Sequence, residues 1–62
     1  MEIKDNTKYE VSFRADGVVE KLIFQYKTPN SHAPLEYFME AFVNYCAEMH
    51  YENIWISSIV EV

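Results

Sequence analysis

The sequence predicts an α+β fold: a two-layer β-β-α-β sandwich in which one helix covers one face of a three-stranded antiparallel sheet of order 2-1-3. Three observations carry this reading. Residues 8–15 alternate polar with apolar side chains, Asp16-Gly17 follows at once, and seven apolar residues between Leu35 and Met49 recur at helical spacing.

In the first strand, about 8–15, Tyr9, Val11, Phe13 and Ala15 alternate with Lys8, Glu10, Ser12 and Arg14. A period of two marks a strand with one buried face. Asp16-Gly17 readily adopts the positive dihedrals of a type I′ turn. The second strand therefore runs over about 18–27, with Ala15 opposite Val18, Phe13 opposite Glu20, Val11 opposite Leu22 and Tyr9 opposite Phe24. A slip of one residue would bury Lys21, Ile23 and Gln25 in place of Leu22, Phe24 and Tyr26, so the register is well specified.

Thr28 to Pro34 read as a loop leading into a helix, with Ser31 the expected cap and Pro34 fitting the first turn, where a missing N–H costs nothing. The helix is expected over about 32–51. Leu35, Phe38, Met39, Phe42, Val43, Cys46 and Met49 form its apolar stripe; Glu36, Tyr37, Glu40, Asn44, Glu48 and Tyr51 lie opposite. Asn53 is the expected left-handed stop. In the last strand, about 54–62, the even positions are assigned inward and Trp55 outward, with a bulge at Ser57-Ser58 as the device that could switch the phase. Residues 1–7 are expected to be flexible. A right-handed crossover then places the last strand beside the first.

The 62 residues are expected to form one domain. A chain of this size buries only about 60% of its unfolded surface, so such domains are commonly reinforced by a disulfide, a metal or a partner. One cysteine excludes an internal disulfide, and half the residues are hydrophobic, which argues against disorder. The first residues lack the apolar core of a signal peptide, and no apolar run is long enough for a membrane helix. With Met1 and a lone Cys46, the expectation is a complete cytoplasmic protein.

Every Lys and Arg lies at or before Lys27, where five acids balance them; the whole net charge of −5 comes from Glu36, Glu40, Glu48, Glu52 and Glu61. Folded as above, bases and carboxylates occupy opposite faces. Glu36 and Glu40 repel at four-residue spacing, and Glu48 sits at the negative end of the helix dipole. Stability alone would place Lys there. The favoured function is thus a small acidic non-enzymatic binding module; small acidic proteins of phage and mobile elements often modulate or inhibit a host protein, an association that suggests such a role and is not read from the residues. It would dock a basic protein surface through Glu36, Tyr37, Glu40, Asn44, Glu48 and Tyr51, with the carboxylates imitating a phosphate row.

Two alternatives use the outer sheet face, assigned Arg14, Lys21, Ile23, Trp55 and Ile59. One is a homodimer formed across that face or by edge pairing of the second strand. The other, less favoured because the protein is acidic and the face carries one aromatic ring, is stacking of single-stranded nucleic acid. No catalytic residue, metal or cofactor is assigned. Cys46 and His50 stand four residues apart, but zinc needs two further ligands, and a thiol on an apolar stripe near a helix C-terminus is kept protonated.

Overall fold

The computed structural model describes residues 2–27 and 32–62, which form five strands and one helix. The strands are β1 (Glu2–Lys4), β2 (Thr7–Ala15), β3 (Val18–Tyr26), β4 (His32–Pro34) and β5 (Ile54–Glu61); the helix is α1 (Leu35–Glu48). β3, β2 and β5 make an antiparallel sheet with β2 in the centre, while β1 and β4 pair antiparallel in a separate two-stranded sheet. The three expected strands are ordered with the first (β2) between the second (β3) and the last (β5); the expected single sheet is corrected by the separate two-stranded sheet β1-β4.

The hairpin follows the register expected from the alternation, with Ala15 opposite Val18, Val11 opposite Leu22 and Tyr9 opposite Phe24. Asp16 and Gly17 have φ of 51° and 81°, the two positive dihedrals that a tight turn between twisted strands requires. A second tie holds this turn. The Asp16 N–H donates to the Glu52 carbonyl at 3.0 Å, and the Asn53 side-chain amide donates to the Asp16 carboxylate.

Helix α1 lays Phe38, Phe42 and Cys46 on the inner sheet face, where all three are fully buried with Tyr9, Val11 and Phe13. Rings meet edge to face: Phe13 with Phe42 at 5.3 Å, Phe24 with Phe38 at 5.4 Å and Tyr9 with Phe38 at 5.5 Å. Such pairs contribute about 1 kcal/mol each beyond the area they bury. The stripe is narrower than expected, since Met39, Val43 and Met49 on its flanks stay partly exposed.

Both helix ends differ from the expected 32–51. Proline disfavours helical dihedrals in the residue before it, and Pro34 itself is extended (ψ 146°), so the helix begins at Leu35. The segment before it pairs with β1 instead. The expected cap Ser31 lies outside the described residues. At the other end His50, not Asn53, makes the left-handed stop, with φ 66°. The Tyr51 N–H donates to the Cys46 carbonyl and the His50 N–H to the Ala47 carbonyl, each at 3.0 Å, the paired bonds of a Schellman ending.

Residues 1–7 were expected to be flexible, but Glu2–Lys4 form a strand and Ile3 is fully buried in the core. The Lys4 N–H donates to the hydroxyl of buried Tyr9 at 3.0 Å, which satisfies the one polar atom that ring carries inward.

In β5 the inward phase holds for Ile54 and Ile56 and then switches. Ser12 pairs with Ser58 while Phe13 pairs with Ile56, leaving Ser57 as a bulged residue. Ile59, assigned to the outer face, stands opposite Val11 and packs on the core; Val60 and Val62, assigned inward, are exposed.

Candidate functional site

Two surfaces carry the residues singled out by sequence. On the helix, the four-residue spacing of Glu36, Glu40, Asn44 and Glu48 strings them along one ridge, and all four are exposed. Among the described residues, none of the three carboxylates has an ion-pair partner. Tyr37, 58% exposed, lies beside the ridge. Together with Glu40, Asn44, Ala41 and Tyr26 of β3 it lines an open hollow of about 250 Å³. Tyr51 does not belong to this surface. It lies beyond the helix end and packs edge to face on Phe13 at 5.5 Å, because the Schellman ending turns the chain back toward the sheet.

The uncovered sheet face is ordered by the strand registers. Its central column is Arg14, Ser12, Glu10 and Lys8 on β2. Val19 and Trp55 flank Arg14, Lys21 and Ser58 flank Ser12, and Ile23 and Val60 flank Glu10. Trp55 is 73% exposed and Ile23 50%. Thus Arg14, Lys21, Ile23 and Trp55 share the outer face as expected, and Ile59 does not. The apolar residues lie in two outer columns separated by the charged central one, so they do not make one patch. Lys4 stands apart from these bases. Its ammonium donates to the Glu61 carboxylate at 3.0 Å, and that hydrogen bond, with the adjacent charge, raises the lysine pKa.

A third feature escaped the sequence reading. Met39 and Val43 of the helix flank, with Ile54, Trp55 and Ile56 of β5, line a mostly apolar open groove of about 290 Å³ along the β5 edge. Its signal was present in the width of the stripe: seven apolar helix positions exceed what three narrow strands can cover.

Cys46 is fully buried, and burial raises its thiol pKa, which holds it as an unreactive thiol. Among the described residues no three His, Cys, Asp or Glu side chains are grouped as metal ligands, and no helix is long and apolar enough to cross a membrane. No family model, curated protein or solved structure matches the chain.

Proposed function

We propose that the protein is a non-enzymatic binding module that docks a basic protein surface through the ridge Glu36–Glu40–Asn44–Glu48, with Tyr37 as its aromatic anchor. One observation carries the reading: three exposed carboxylates stand along α1 with no ion-pair partner among the described residues, although the chain has bases it places elsewhere. Like charges four residues apart, and an acid at the helix C-terminus, each cost a few tenths of a kcal/mol. A partner that supplies the cations removes this cost on binding. Glu36 and Glu40 rise about 6 Å apart and Glu48 about 12 Å further on, an anionic row for which a basic cleft built for nucleic acid is a fitting target.

The outer sheet face gives weaker support to nucleic-acid binding. Stacking platforms use several rings over a cationic groove, whereas this face has Trp55 alone and Glu10 at its centre.

The test is affinity capture from lysate with the wild-type chain and with the triple variant Glu36→Lys/Glu40→Lys/Glu48→Lys, both checked for folding by circular dichroism. The reading expects proteins held by the wild type at low salt to be lost from the variant. Equal capture by both would overturn it.

A further inference from the structure

We infer that the chain is itself a partner of its own ridge: α1 of one copy docks on the outer sheet face of a second, and copies stack face to back. This rests on the reading of the ridge as a docking surface and names one partner for it, a second copy.

The argument is a match of two spacings. At about 1.5 Å rise per residue, Glu36, Glu40, Asn44 and Glu48 stand at about 0, 6, 12 and 18 Å along the helix. Same-face residues of a strand stand about 6.8 Å apart, so Arg14, Ser12, Glu10 and Lys8 stand at about 0, 7, 14 and 20 Å. At the second level the base is Lys21, directly opposite Ser12 on β3. Laid together, Glu36 meets Arg14, Glu40 meets Lys21, Asn44 meets Glu10 and Glu48 meets Lys8. Each carboxylate of the ridge finds a base. The one acid of the sheet column meets the one amide of the ridge, whose NH₂ donates to a carboxylate. The accumulated mismatch of about 2 Å lies within the reach of Lys and Arg stems.

The orientation is also specified. Turned end for end, the ridge would set Glu40 against Glu10, a like-charge contact at the middle of the interface. In the favoured orientation Tyr37 comes level with Val19 and Trp55, which flank Arg14 on either side. An exposed tyrosine thereby meets two strongly exposed apolar residues of the sheet face.

Ridge and sheet face lie on opposite sides of the two layers. The contact is therefore heterologous, and two copies cannot satisfy both faces; repetition gives a longer series. Copies of net charge −5 repel at a distance. At physiological salt, with a Debye length of about 8 Å, that repulsion is damped.

Sedimentation velocity on the full chain, with the single Trp55 as fluorescence reporter, tests this. The samples are wild type, the ridge-reversed triple variant above, and the sheet-reversed variant Lys8→Glu/Arg14→Glu/Lys21→Glu. At about 0.5 mM chain, where weak contacts populate, the average mass of the wild type should climb past two chains with concentration. About 1 M salt should reverse it. Each variant alone should stay monomeric, since its ridge and sheet then carry like charge. An equimolar mixture should associate again with a blue shift of Trp55 emission, because both of its interfaces are complementary. Should a triple variant fail to fold, Glu40→Lys and Lys21→Glu, which meet in this register, test the same loss and mutual rescue. A monomeric wild type, a limiting mass of two chains, or association undiminished by reversing the ridge would overturn the inference. The docking reading is tested separately: it falls if the ridge-reversed chain also keeps its capture of foreign proteins.

Discussion

Trp55 and Ile59 stand four residues apart on one strand and lie on opposite faces of the sheet. Strict alternation would put them on the same face. Ser57 is the extra residue that breaks the alternation, opposite the Ser12–Phe13 step of β2. The bulge gives the outer face Trp55, Val60 and Val62 and gives the core Ile54, Ile56 and Ile59. Both faces of β5 owe their composition to that one insertion.

Ile59→Ala should therefore cost about 1–2 kcal/mol, as a half-buried side chain leaves the core, and Trp55→Ala should stay within about 0.5 kcal/mol. Urea denaturation of the two variants measures this. The opposite ranking would restore uninterrupted alternation.

Ile3→Ala should cost about 2–4 kcal/mol despite its place near the N-terminus, because the side chain is fully buried among the core residues. In a domain of this size that is a large share of the total stability. Tyr9→Phe should cost about 1 kcal/mol, from loss of the acceptor for the Lys4 N–H. Chemical denaturation checks both, and a wild-type midpoint for Ile3→Ala would contradict the packing of β1.

How much of this could be read from the residues follows from the range of each interaction. The hairpin was legible, register included, because alternation and Asp16-Gly17 are local signals. So was the core of the helix, and with it the acidic ridge opposite. The β1–β4 ribbon was not: two three-residue strands some thirty residues apart are too short to show a period, and only tertiary pairing makes them strands. The phase of β5 was ambiguous for a similar reason. Ser57 and Ser58 are adjacent and equally polar, so neither face claims them. His50 was missed as the helix stop because histidine adopts positive φ less readily than Asn53, which also does so here, in the next turn.

Glu48→Lys should stabilise the folded chain by about 0.5 kcal/mol. It replaces an acid by a base in a last helical turn that holds no base, where the carbonyl dipoles favour positive charge. Thermal unfolding at low salt checks the sign. The expected cost is functional, since the same change removes a ridge carboxylate.

Cys46 sets a pH dependence. Burial raises its thiol pKa in the folded chain, so the folded state holds this proton more tightly than the unfolded one. The stability it contributes is complete below the ordinary thiol pKa and declines as pH rises toward the folded value. Denaturation midpoints taken upward from about pH 8 should fall, and Cys46→Ala should flatten that part of the slope. A thiol reagent should react only as fast as the chain opens; immediate labelling would contradict the buried site.

The claim on which the functional account stands is that the ridge on α1 recognises positive charge. The most direct measurement is retention of captured protein on immobilised wild-type chain as salt rises from about 0.05 to 0.5 M, a range over which surface charges become screened. The account predicts steep release, and no release step from the Glu36→Lys/Glu40→Lys/Glu48→Lys chain because nothing is held. Retention that is indifferent to salt, or equal on the two chains, would contradict it.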